Sequence, residues 1–99
     1  MELRVRLTAP CKEVWRKLHI DVQKSLKASL KKLAKGEIQG KKLTKELAGY
    51  SSLISHNHRA IYRIINDMIL VFHVGHRSNV YANVGRLLKP ADSEELEPI

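Results

Sequence analysis

Leu3, Val5 and Leu7 alternate with Arg4 and Arg6, the period-two pattern of a short strand with one buried face. Thr8 or Ala9 leads into Pro10, which the first turn of a helix tolerates, and Val14, Trp15 and Leu18 mark one apolar side of a first helix that stops before His19. Asp21 can cap a second helix, in which Val22, Leu26, Leu30 and Leu33 fall at i, i+4, i+8 and i+11 and share a face. Gly36 ends it. Gly36-Glu37-Ile38-Gln39-Gly40 reads as a loop, and Lys41 to Gly49 brings Leu43 and Leu47 onto a short irregular or helical segment. Tyr50 to Ser55, Arg59 to Asn66 and Met68 to Gly75 are rich in apolar and β-branched residues and are separated by turn formers at His56-Asn57-His58 and Asn66-Asp67. They predict three antiparallel strands joined by hairpins. Ser78 or Asn79 can cap a last helix with Val80, Val84, Leu87 and Leu88 on one face and Pro90 as its stop.

The expected fold is therefore a small single α+β domain, an N-terminal helical hairpin packed on an antiparallel β-sheet with a short C-terminal helix. Its 99 residues, 43% of them apolar, suffice for one modest core. Residues 1–90 form the domain and residues 91–99 an acidic, mobile tail. The longest apolar run, Met68 to Phe72, is far short of the roughly 20 residues that span a bilayer, so no membrane association is expected. The N-terminus has neither the apolar stretch nor the small-residue cleavage site of a secretory signal, which points to the cytoplasm. Cys11 is the only cysteine, so an intrachain disulfide is excluded and a core position is expected for it.

Charge sharpens the picture. Eighteen Lys and Arg face ten Asp and Glu, for a net charge of +8, and four of those acids, Asp92, Glu94, Glu95 and Glu97, crowd the tail. The body thus sets eighteen basic side chains against six acidic ones, a charge of +12. Nucleic acid is the expected polyanionic partner. Lys24, Lys27, Lys31 and Lys35 form one stripe on the polar side of the second helix. A solvated face would explain exposure, but a stripe of one sign repels itself at i, i+4 and is better explained by an anionic partner such as RNA or a ribosomal surface.

Four of the five histidines lie between positions 56 and 76, among Arg59, Arg63, Arg77, Tyr81 and Arg86. Phosphate loops, Ser/His/Asp signatures and paired carboxylates are absent, so carboxylate-dependent hydrolysis is not expected. The spacings His56-x-His58 and His73-x2-His76 invite a metal, but no Cys, Asp or Glu stands near them except Asp67, and Arg59 and Arg77 would repel a cation. Neither metal nor other cofactor is expected. RNA transesterification fits better: it needs a base for the 2′-hydroxyl, cations for the phosphorane and an acid for the leaving oxygen, none of which requires metal. Histidine, arginine and tyrosine supply those functions. Arg63 and Arg86 read as solvent-facing charges and His73, inside an apolar strand, as a core residue.

In Trp15-Arg16-Lys17-Leu18, the Lys-rich helix, Lys42-Leu43 with Leu47-Ala48-Gly49, and above all Arg59-Ala60-Ile61-Tyr62-Arg63-Ile64 followed by Val74-Gly75-His76-Arg77-Ser78-Asn79-Val80-Tyr81, the chain resembles the RelE/ParE superfamily of type II toxins. The resemblance implies a RelE-type fold, a cognate antitoxin as partner, a higher-order toxin–antitoxin complex on operator DNA and, in the RelE branch, endoribonuclease cleavage of mRNA in the ribosomal A site. It also implies that Arg59 and Arg77 bind phosphate and stabilise the transition state while Tyr81 orients or stacks on the substrate. RelE nucleases carry a pair of lysines where this chain has Tyr50 or Ser51, and Ser52. His56, His58 or His76 is the expected replacement for the lost base. Two other functions are implied by other branches: a ParE-like inhibitor of DNA gyrase without RNase activity, and a non-catalytic homologue that binds only antitoxin and operator.

Overall fold

A computed structural model describes residues 2–78, Val80 and residues 97–98. β1 (Arg4–Leu7) buries Val5 and Leu7, as its alternation requires. Thr8 caps α1 (Ala9–Arg16) by accepting a hydrogen bond from the Cys11 amide at 3.3 Å, and Pro10 occupies the first turn. Cys11 and Trp15, one turn apart, are the buried pair of that helix. α2 (Ile20–Ala34) is capped by His19, whose Nδ1 accepts from the Asp21 amide at 3.1 Å, and not by Asp21. Asp21 instead lies in the first turn, where its charge complements the helix dipole. The Gln23 side chain donates to the carbonyls of Trp15 and Leu18 and so pins the two helices at their junction. Gly36, at φ +79°, closes α2: its amide donates to Leu33 and that of Glu37 to Lys32, the pair of bonds that satisfies a helix C-terminus.

A two-residue strand, β2 (Lys41–Lys42), and a 3₁₀ turn (Lys45–Leu47) fill the segment expected to be irregular or helical. β3 (Ser51–Ser55), β4 (His58–Ile65) and β5 (Met68–His76) are the three hairpin-linked strands, with positive φ at His56 and Asn66 in the turns. Glu97–Pro98, part of the expected tail, forms β6 against β1. The sheet order is β2-β3-β4-β5-β1-β6.

One pairing corrects the expectation of an antiparallel sheet: β1 runs parallel to β5, Arg4 opposite Met68 through Leu7 opposite Val71. The helical hairpin is the cause. It carries the chain off the end of β1 and back to Ala34, whose carbonyl accepts from the Leu3 amide at 3.0 Å, and the meander of alternating strands then delivers β5 beside β1 in the same direction. Alternation of apolar residues specifies the buried face and is silent on strand direction.

Leu26, Leu30 and Leu33 of α2 pack with Leu7, Leu53, Ala60, Tyr62, Ile69, Val71 and Val74 into the main core, between helices and sheet. On the other face, among the described residues, Ile61 and Val80 meet Leu43, Leu47 and Tyr50. The expected terminal helix, apart from Val80, lies outside the described residues, as does Tyr81. No described helix is long and apolar enough to cross a membrane.

Candidate nucleic-acid interface

The β3–β4–β5 ladder fixes the candidate residues. Arg59 stands opposite Ile54 on β3 and Gly75 on β5, and it shares a sheet face with Ile61 two residues on, the face turned away from the helices. The ladder extends past β5 through the Arg77 amide, which donates to the Asn57 carbonyl at 2.7 Å. Arg77 is therefore two residues beyond the cross-strand neighbour of Arg59, roughly 7 Å of strand rise, with its side chain exposed. The two arginines belong to one end of the β4–β5 pair.

Arg59 lines a cleft of about 380 Å³ together with Lys41, Lys42, Leu43, Thr44 and Leu47. Three basic residues from two strands thus border one hollow; the pleat puts Lys41, opposite Ser52, on the same face as Arg59 and Lys42, opposite Ser51, on the other. β2 is seated there by backbone contacts: Lys41 pairs with Ser52 and Lys42 with Ser51, and the Leu43 amide donates to Tyr50 at 2.9 Å. Gly40 permits this approach, since a Cβ on it would collide with the Tyr62 hydroxyl and lie 2.8 Å from the Ser52 carbonyl oxygen. Tyr62 hydrogen-bonds Ser51 and the Gly40 backbone; burial raises its pKa and those bonds oppose the rise.

His58 directly precedes Arg59, so the pleat sends it to the opposite face. It pairs with His76 across the ladder, the rings meeting edge to face with centroids 5.4 Å apart. Both line a second hollow of about 320 Å³ with His56, Asn57 and Ser55 and with Asp21, Val22 and Ser25 of α2, on the helix side of the sheet. Burial, and secondarily the charge of His76, lowers the His58 pKa. His56 is exposed on its turn, and the His76 Nδ1 lies 2.8 Å from the Ser78 hydroxyl. The structure brings the three histidines together and Arg59 to a different place. Among the described residues no group of three or more His, Cys, Asp and Glu could hold a metal ion.

Lys24, Lys27, Lys31 and Lys35 are all exposed along α2, with Lys24 and Lys27 bordering a hollow beside Trp15, Ile20 and Gln23. They form a third surface, separated from the Arg59 cleft by the helix layer. His73 is buried in the middle of β5 with its pKa lowered by burial, and its Nδ1 has no hydrogen-bond partner among the described residues. Arg63 is exposed, its guanidinium 5.8 Å from the centroid of the Tyr50 ring. Burial pushes the Cys11 thiol up to about 12, against a small opposing pull from Lys12, so it is a core side chain and no nucleophile.

Lys41 and Lys42 follow Gly40 at the end of a loop, and nothing in the sequence there points to the Arg59 cleft that they border. Only strand pairing reveals that Lys41 and Lys42 stand opposite Ser52 and Ser51, one strand further out.

Comparison with known proteins bears on the family and the fold. The family described as the ParE toxin of type II toxin–antitoxin system, parDE, matches residues 5–81. No curated protein matches. Among solved structures, a chain of the toxin–antitoxin complex RelBE2 from Mycobacterium tuberculosis is 26% identical, with a TM-score of 0.70 over 78% of this chain and 100% of that one. The isolated RelE toxin of E. coli is 26% identical, with a TM-score of 0.63 over 87% of this chain and 99% of its own. A doubly substituted E. coli RelE in the free state is 22% identical with a TM-score of 0.71 over 90% and 100%, a likeness of fold.

Proposed function

The chain belongs to the ParE toxin family of type II toxin–antitoxin systems, and from that premise we propose that it arrests translation by cutting mRNA on the ribosome and is held inactive by a cognate antitoxin. The observation that carries this reading is the placement of Arg59 in a cationic cleft at the end of the β4–β5 ladder that also bears Arg77. Cleavage by transesterification moves the 2′-hydroxyl oxygen onto the adjacent phosphorus and breaks the bond to the 5′-oxygen, leaving a cyclic phosphate and a free 5′-hydroxyl. Arg59 and Arg77 neutralise the extra negative charge of the phosphorane, a role suited to guanidinium groups, and Tyr81 orients the substrate. The histidine pair borders a hollow on the opposite face of the sheet, which weighs against its acting on the same phosphate as Arg59. The lysine stripe of α2 faces ribosomal RNA in this reading, on the far side of the helix layer. That a similar chain occurs in a toxin–antitoxin complex supports the antitoxin partner, and a higher-order complex of the two on operator DNA extends the same proposal.

A second reading, a gyrase inhibitor without RNase activity, is favoured by one observation: β3 carries Ser51 and Ser52 where the nuclease branch has lysines. Purified chain incubated with ribosomes on a defined message, with cleavage mapped by primer extension and Arg77→Ala run in parallel, decides between them. Cuts confined to the A-site codon and lost in the variant are expected. An intact message together with inhibited gyrase supercoiling would overturn the nuclease reading.

A further inference from the structure

From the cross-strand pair His58–His76 and the hollow it borders, we infer that this chain carries a two-histidine site for a divalent transition-metal ion, zinc above all, on the helix side of the sheet; the inference goes beyond the nuclease reading and does not depend on it. The backbone sets the two donors face to face. Because the Arg77 amide donates to the Asn57 carbonyl at 2.7 Å, those two residues are a hydrogen-bonded pair of the ladder. The next pair, His58 opposite His76, is then a non-hydrogen-bonded one, the kind whose side chains stand closest. A tetrahedral ion that holds two imidazole nitrogens at about 2.1 Å sets their ring centroids roughly 5.2 Å apart, and here they are 5.4 Å apart. The rings meet edge to face, and a turn about χ2, a soft torsion in histidine, aims one nitrogen of each at a shared ion. Ser78 holds the His76 Nδ1, its hydroxyl 2.8 Å and its amide 3.2 Å away. With the hydroxyl accepting the Nδ1 proton, Nε2 keeps its lone pair for the metal, the outer hydrogen bond that metal-bound histidines use.

The hollow, about 320 Å³, has room for the ion and the waters that complete its shell, and Asp21 on its rim brings negative charge. Arg59, a neighbour in the chain that would repel a cation, is sent by the pleat to the other face. Two protein donors are fewer than the three or four of a permanent centre, so the ion exchanges.

Two imidazoles meeting edge to face can also be no more than a packing contact. Zinc tells the two apart. Titration of the full chain with zinc chloride in chelator-treated buffer near neutral pH, followed by isothermal calorimetry, is expected to show saturable binding of about one ion per chain. His58→Gln and His76→Gln should each weaken it by roughly tenfold or more, since each removes one of two donors. His19→Asn takes away an imidazole while keeping a side chain that caps α2, and should leave the affinity unchanged. Urea midpoints in EDTA establish that the variants fold. With saturating zinc the wild-type midpoint should rise and those of the two pair variants should not. Magnesium, a hard cation with little affinity for imidazole, should not bind. No zinc binding by the wild-type chain, undiminished binding by either pair variant, an equal loss in His19→Asn, or a wild-type midpoint that zinc does not raise would overturn the inference. So would magnesium binding as tight as zinc, which would place the ion on oxygen ligands.

Discussion

His58 and Arg59 are neighbours in the chain, yet they serve two different hollows. His58 joins His76, Ser55 and the first turns of α2 under the helices, whereas Arg59 borders a cleft with Lys41 and Leu43 on the face turned away from the helices. The helix-side hollow is a gap between two packed layers, bordered by three histidines and Asp21. The cleft on the other face has Leu43, Leu47 and Tyr50 near it among the described residues and gathers positive charge. The pleat of one strand makes the separation, so nearness in sequence is a poor guide to which residues can act together. A site that draws on both neighbours would need its substrate on both sides of a hydrogen-bonded sheet.

The largest effect that could break this division is on RNA cleavage. Arg59→Ala should lower ribosome-dependent cleavage by roughly 100- to 1000-fold, while His58→Ala on the other face should stay within about threefold of wild type. Primer-extension rates at saturating ribosomes measure both. Equal losses would mean that the two hollows are parts of one site and that the face assignment does not govern function.

Stability should divide along the same line. Leu30 is fully buried where α2 meets the sheet, whereas Ile61, equally buried, packs in the outer cluster with Leu43, Leu47 and Tyr50. Leu30→Ala is expected to cost about 4 kcal/mol and Ile61→Ala about 2 kcal/mol, the lower figure because partly exposed neighbours can relax into the space. Ile54, about half exposed beside Arg59, should tolerate alanine within about 0.5 kcal/mol. Urea midpoints at constant slope give all three, and a costlier Ile61→Ala would show that the open face is as firmly built as the helix side. Gly40→Ala tests the seat of the cleft itself. Its new methyl group would meet the Tyr62 hydroxyl and the Ser52 carbonyl, so a loss of about 1–2 kcal/mol is expected, together with weaker RNA binding although no charge has been removed.

The fold was legible where side chains alternate or repeat with helical period. The turns at 56–57 and 66–67, the Pro10 helix start and the Gly36 stop all fall where the residues place them. His19 displaced Asp21 as the cap because an imidazole nitrogen two residues before the Asp21 amide reaches it directly, a contact that residue preferences alone rank low. The parallel β1–β5 pair was hidden because strand direction depends on where the helical hairpin sets the chain down. For the site, Arg59 and Arg77 could be named from their motif, but the division of the histidines from the arginine required knowing which strand pairs with which. The place of the lysines beside the cleft was hidden for the same reason, since Lys41 and Lys42 lie eleven and nine residues before their ladder partners.

The smallest expected effect is the pH response of half-buried His58 and buried His73, one on each side of the comparison. His58 and His73 both have pKa values lowered by burial, and His58 is lowered further by His76. A histidine depressed in the folded state leaves the unfolded chain to bind the proton first, so each contributes full stability above the ordinary histidine pKa of about 6.5 and loses it as pH falls toward the lowered value. The urea midpoint should therefore fall between pH 7.5 and pH 5.5. His58→Gln should reduce that slope, and His76→Gln should reduce it less, because burial, the greater cause, remains when the neighbouring charge is gone. His73→Gln separates the faces: its share rests on burial alone and should be unaffected by any change at His76. If His76→Gln flattened the profile more than His58→Gln, repulsion within the pair, and not burial, would be the main cost of the helix-side hollow, which would then be a better candidate for an anion-neutralised site than the geometry of its lining suggests.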